Sequence, residues 1–252
     1  ISTQSGRDRY IADIEKLIAG AEEAVEPVFD LRPQWGVIVI GGPTGGYYVA
    51  GAADGSRPGS YHVSLEGTVR PRFVGPTAVY HETVPGHHYQ IAVAQSLDLP
   101  LFRTDLVFNA YAEGWALYAE RLAWELGLYQ DDPYGNLGRL EYELLRAVRL
   151  VVDTGIHAMR WTREEGGAYM AKHVMPWMNE VDRYVVMPAQ ATGYKIGMLE
   201  VMRLRQEAMD RLGDEFDLKA FHNAVLGHGS MPLPLLATII EEATGDTLAS
   251  AP

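Results

Sequence analysis

The stretch YHETVPGHHYQ, residues 80–90, places His81, Glu82, His87 and His88 close together. A His followed by Glu is how hydrolytic zinc helices begin. In the strict H-E-x-x-H arrangement two imidazoles sit one turn apart and the Glu serves as general base. Here the fourth residue after His81 is Pro85, and the next imidazoles come at 87 and 88. On a straight helix His81 and His87 would lie ~9 Å apart along the axis, on different faces. They could not then share an ion with bonds of ~2 Å. Pro85 cannot donate to the His81 carbonyl, and its ring disturbs that turn. Gly86 loosens the backbone further. The expectation is a helix that bulges or breaks here and swings a late histidine back toward His81. Both His87 and His88 stand as candidates, and a His-rich helix break without chemistry is the alternative.

Such a site needs a third protein ligand, commonly a carboxylate on a second helix. YAEGWALYAE, residues 111–120, supplies Glu113 and Glu120 on one helix face. Trp115, Leu117 and the flanking alanines suggest that this face is buried, where a carboxylate is costly unless paired or bound to metal. Glu113, among small residues, reads as a ligand. Glu120 reads equally as a salt-bridge partner of an arginine such as Arg121.

Composition narrows the chemistry. The chain of 252 residues contains no cysteine, so thiolate zinc sites and disulfides are excluded, and any zinc rests on His, Asp or Glu. The lack of cysteine also fits either redox environment, and the expectation is a soluble protein, cytoplasmic or exported. Net charge is −12, with no basic block, which argues against nucleic acid as the main partner. No apolar run approaches the roughly 18 residues of a membrane span.

The elements that must hold these residues fall into two parts. Residues 7–25 repeat apolar positions at helical spacing. WGVIVIGG (35–42), YYVAG (47–51) and SYHVSL (60–65) read as strands of a small sheet spanning about 33–66. From about 77 to 245 the pattern is helical. Thr77 is a candidate cap for the helix carrying VYHET, and long helices are expected over 104–127, 136–161 and 189–212, with shorter ones over 217–226 and 232–243. The fold class expected is mainly α, a zincin-like helical body with a small N-terminal β-sheet, treated as one domain over 1–252.

A second polar feature lies in RAVRLVVDTGIHAMRW, residues 146–161. Arg146, Arg149, Asp153 and His157 share one helix face. They read either as an intrahelical ion ladder or as a cleft-lining row, with Arg suited to bidentate capture of a carboxylate. Residues 179–197 add Arg183, Tyr184, Gln190, Tyr194 and Lys195. A Tyr194 hydroxyl near a scissile carbonyl would stabilise the oxyanion.

Taken in order, HETVPGHHYQ, YAEGWALYAERL, LLRAVRLVVDTGIHAMRW, EVDRYVVMPAQATGYKIG and FDLKAFHNAVLGHGSMPL resemble the motifs of the bacterial domain-of-unknown-function family numbered 885, over about residues 33–240. Members of that family look like gluzincin-type zinc metallopeptidases, similar to thimet oligopeptidase and carboxypeptidase Taq. The resemblance implies zinc on His81, His87 and Glu113, with His88 as the alternative to His87. It implies Glu82 as general base and Tyr194 near the transition-state tyrosine. It also implies a protein about twice this length, of which this chain corresponds to the C-terminal half. The missing N-terminal half, or a partner chain, would wall the cleft.

The resulting expectation is a zinc-dependent peptidase of short peptides. Tyr194, helped by His157 or Arg183, would stabilise the oxyanion, and Arg149 or Arg183 would hold a substrate carboxylate. Tyr184 and Lys195 would line the substrate site. The alternatives are a metal-dependent hydrolase of a non-peptide amide or ester, and a non-catalytic half that binds a partner.

Overall fold

A computed structural model describes residues 3–66, 72–175 and 178–245. The first helix, α1 (Gln4–Ala24), is capped by the Thr3 side chain, which accepts from the Gly6 N–H, and buries Ile14, Ile18 and Ala21. The strands β1 (Val37–Gly42), β2 (Tyr47–Val49) and β3 (Gly59–Ser64) form a sheet of order β1-β3-β2. β3 pairs parallel with β1 and antiparallel with β2. The long helices α5 (Asn109–Glu125), α6 (Pro133–Met159) and α9 (Gln190–Leu212) form the body. Around them lie α2 (Gly75–Glu82), α3 (His87–Ser96), α4 (Leu101–Asp105), α7 (Arg163–His173), α8 (Met178–Val186), α10 (Leu218–Leu226) and α11 (Leu233–Gly245). The chain is mainly α with a small sheet, as the sequence pattern indicates. Among the described residues no helix is long and apolar enough to cross a membrane.

Several expectations are corrected. Thr77 is not a cap: it is buried within α2, its hydroxyl 2.9 Å from that of Tyr129. The helix expected over 104–127 is two pieces, because residues 106–108 leave helical geometry between α4 and α5. α7 and α8 lie within the region whose pattern is helical, though the sequence pattern marks neither as a separate helix. α7 starts on a capping box, Thr162 with Glu165, and its Gly166 and Gly167 pack tightly beside Val152 and Met178. Its face is made by glycine contact, which leaves no apolar period to read.

Two contacts decide where the site forms. α5 and α9 cross at glycines: a Cβ on Gly197 would collide with the Ala110 carbonyl and the Gly114 Cα. This lets α9 lie against α5 and sets Tyr194 beside the face that carries Glu113. The other is the inter-helix use of the polar stripe on α6. Arg146 reaches Glu120 on α5, Arg149 reaches Glu180 and Tyr184 on α8, and Asp153 accepts from the Ala189 N–H at the start of α9. The stripe is therefore neither an intrahelical ladder nor an open row. It ties α6 to three neighbours.

Replacing Gly197 by Ala forces the two helices apart and is expected to destabilise the fold by about 1–3 kcal/mol. Gly20 lies within α1 with nothing near its Cβ position, so Gly20→Ala is expected to stabilise by about 0.5–1 kcal/mol. Urea unfolding of both variants checks this. Equal effects at the two positions would contradict the proposed packing.

Candidate metal centre

The opening motif becomes two helices. α2 ends at Glu82 and α3 begins at His87. The turn between them, Thr83–Gly86, is held by local bonds. The Thr83 hydroxyl donates to the Val79 carbonyl at 2.6 Å, the Gly86 N–H to the Tyr80 carbonyl at 3.1 Å, and the Tyr89 N–H to the Thr83 carbonyl at 3.2 Å. The Trp115 indole donates to the Pro85 carbonyl at 2.9 Å, anchoring the turn to α5. Gly86 is required here, since a Cβ would strike the His81 carbonyl. The chain thus folds back, and the His87 ring comes to 4.8 Å from that of His81, at right angles to it.

α5 brings a carboxylate to both rings. Glu113 Oε2 lies 3.5 Å from His81 Nε2 and 3.2 Å from His87 Nε2. Yet it is buried and accepts no hydrogen bond of acceptable geometry. One ligand atom from each of His81, His87 and Glu113 lies within 4.8 Å of the others. Such an orphaned carboxylate oxygen is costly without a cation. Two imidazoles and one carboxylate are the donor set of hydrolytic zinc, so the residues present fit that ion.

The surroundings fix this geometry. Glu120, two turns along α5 from Glu113, takes the His81 Nδ1 proton at 2.8 Å, which turns Nε2 toward Glu113. Glu120 is itself buried and lies 3.2 Å from Arg146 Nη2. The sequence suggested Arg121 as its partner; Arg121 instead bonds Glu125. Gln190 donates to the other Glu113 oxygen at 3.3 Å, and accepts from Arg183 at 2.6 Å. Burial alone would depress the His81 pKa, but Glu113 and Glu120 together raise it to about 10. Burial opposes ionisation of Glu113 too, yet the two imidazoles hold its carboxyl well below the usual range. Glu82, at the end of α2, is pushed above its ordinary value by burial.

The remaining candidates separate clearly. Tyr194 stacks over His81 with ring centroids 6.1 Å apart, and its hydroxyl accepts from Arg183 at 3.3 Å. Arg149 lies over the Tyr194 ring, 4.6 Å from its centroid, and is buried on Glu180 and Tyr184. Tyr184 is also buried, so neither residue is open to substrate. Lys195 bonds Glu143 on α6 at 2.7 Å. His88 is directed elsewhere: its Nδ1 meets the Tyr48 hydroxyl of β2 at 3.0 Å, and burial lowers its pKa to about 4. His157 does not join the cluster. It lies eight residues beyond Arg149, ~12 Å further along α6, and bonds the Tyr184 carbonyl at 2.8 Å. Its helical spacing was right, and like Arg149 it meets Tyr184 on α8, but two turns further along α6. The supporting roles of Glu120, Arg146 and Gln190 were not legible, because each depends on a partner from another helix.

Metal binding here must displace the proton that the two carboxylates stabilise on His81. Zinc affinity is therefore expected to rise about tenfold per pH unit between about pH 6 and pH 8, measured against a competing chelator. Glu120→Gln is expected to weaken affinity about 10- to 100-fold. A flat pH profile together with unchanged affinity in the variant would contradict the assigned geometry.

The family described as "Bacterial protein of unknown function (DUF885)" matches residues 1–240. A crystal structure of a candidate lipoprotein from Colwellia psychrerythraea is similar, with a TM-score of 0.94 and 43% identity, over 97% of this chain and 44% of that one. A candidate lipoprotein of unknown function from Shewanella oneidensis is similar at a TM-score of 0.80 and 26% identity, over 93% of this chain and 46% of that one. The chain therefore spans less than half the length of either. No curated protein matches it. With the match covering nearly the whole sequence, the chain belongs to the DUF885 family of bacterial proteins of unknown function.

Proposed function

We propose that this protein is a zinc-dependent hydrolase of the zincin type that acts on short peptides. The observation that carries the reading is the buried Glu113 Oε2, which accepts no hydrogen bond of acceptable geometry and lies between the Nε2 atoms of His81 and His87. His81, His87 and Glu113 would hold the ion. Zinc, when bound, supplies Lewis acidity that brings the pKa of water toward neutrality.

The chain's own residues would do the rest. Glu82 is partly buried, and no hydrogen-bond or ion-pair partner holds it among the described residues. Burial raises its pKa, which makes it a better base near neutral pH. It would take the proton from the attacking water and pass it to the leaving amine. The Tyr194 hydroxyl accepts from Arg183, and no acceptor among the described residues takes its own proton. That proton is available to the oxyanion that develops on the scissile carbonyl. Glu120 holds His81 in one tautomer, and Asp153 fixes the start of α9, on which Tyr194 rides.

A second reading, a partner-binding role without catalysis, is favoured by exposed apolar side chains such as Leu101, Val107, Tyr134, Leu137 and Val186. Exposed apolar side chains are where another chain could pack.

Metal content and peptide hydrolysis separate the two. About one zinc per chain is expected in the wild type, with loss in His81→Ala and His87→Ala and retention in His88→Ala. Glu82→Gln is expected to keep the metal and lose roughly 10²- to 10⁴-fold in kcat. Full activity in Glu82→Gln, or zinc lost only with His88, would overturn the reading.

A further inference from the structure

The two oxygens of Glu113 stand in different surroundings. Oε2 faces the imidazoles of His81 and His87 and accepts no hydrogen bond of acceptable geometry. Oε1 accepts from Gln190 Nε2 at 3.3 Å. A carboxylate can meet an ion through one oxygen or through both. Whatever holds Oε1 therefore decides how many oxygens an ion at this site receives.

Partners on three helices fix the Gln190 side chain. Its Oε1 accepts from Arg183 Nη2 on α8 at 2.6 Å. A guanidinium only donates, so the amide oxygen must face Arg183 and the amide NH2 must face away from it. There the NH2 meets two acceptors, Asn109 Oδ1 at 3.1 Å and Glu113 Oε1. Asn109 Nδ2 in turn donates to the Gln190 carbonyl at 2.8 Å. The two amides thus pair where α5 and α9 begin. Each stands one turn before a site residue, Asn109 before Glu113 and Gln190 before Tyr194. Gly193 leaves room for the pair, since a Cβ there would displace the Asn109 amide.

The number of oxygens offered distinguishes one ion from another. Two imidazoles, one carboxylate oxygen and one open position satisfy zinc, which accepts four ligands. Manganese favours oxygen ligands in a six-coordinate arrangement, so it gains more from a second carboxylate oxygen. We propose that Gln190 is a positioning residue that makes Glu113 a one-oxygen ligand, and that it thereby sets the preference of the site for zinc over manganese. This rests on the zinc-site reading above and adds how the ion is chosen. Without the Gln190 donor, Oε1 is free to turn toward the ion, and the ion with the larger coordination demand benefits.

The test measures zinc and manganese affinity against competing chelators in wild type, Gln190→Met and Asn109→Ala. Gln190→Met fills similar space without the donor. Its zinc-over-manganese affinity ratio is expected to fall about tenfold or more. In Asn109→Ala the ratio is expected to fall less, because Gln190 keeps its bond to Glu113 and loses only its other anchor. Cobalt gives a second readout, since four-coordinate cobalt absorbs visible light far more strongly than six-coordinate cobalt. Absorbance of the cobalt-loaded protein is expected to drop in Gln190→Met. A role in packing alone would lower both affinities alike. An unchanged ratio and unchanged cobalt absorbance in folded Gln190→Met overturn the proposal; if that variant does not fold, an unchanged ratio in Asn109→Ala overturns it. Wild type that binds neither metal removes the zinc-site reading and this proposal with it. Zinc bound in the wild type, with a ratio that no variant moves, leaves the zinc-site reading standing and removes this proposal alone.

Discussion

A carboxylate oxygen enclosed between two imidazoles, with no hydrogen bond of its own, is the constraint around which the rest of the molecule is arranged. Glu113 Oε2 is buried, and in an apolar surrounding such an oxygen requires a compensating charge. A protonated imidazole supplies part of it, since Glu113 and Glu120 raise the His81 pKa to about 10. A divalent ion in the same place would satisfy both rings and the carboxylate at once. The helix break at Pro85 and Gly86 exists, in this account, to bring the second ring into that arrangement. The glycine crossing of α5 and α9 brings Tyr194 to it.

The surroundings are built from charged pairs that cross between helices rather than along them. Glu120 stands behind His81 and is faced by Arg146; Arg149 is anchored to Glu180; Asp153 holds the backbone that begins α9. Buried pairs of this kind contribute little net stability, because desolvation offsets most of their attraction. Their value is positional. They fix the rotamers of His81 and Tyr194 relative to each other, which a purely apolar core would leave less defined.

Much of this was legible in sequence because it depends on local geometry. Proline at 85 and glycine at 86 predict a break by their backbone chemistry alone, and Glu113 and Glu120 share a face by helical period. The three strands were readable from short β-branched and aromatic runs between turn residues. The rest depended on tertiary contact. His87 and His88 are adjacent, and only the direction of the chain after the break separates them. Arg146 through His157 form one stripe in sequence, yet each member meets a different neighbour and His157 ends away from the cluster. α7 was hidden because glycines, not large apolar side chains, make its packing face.

The most direct measurement is anomalous diffraction at the zinc absorption edge, from crystals of the chain grown with zinc. The account predicts one strong peak within ~2.3 Å of His81 Nε2, His87 Nε2 and a Glu113 carboxylate oxygen. An empty site at saturating zinc, or a peak at His88 beside Tyr48 instead, would contradict it.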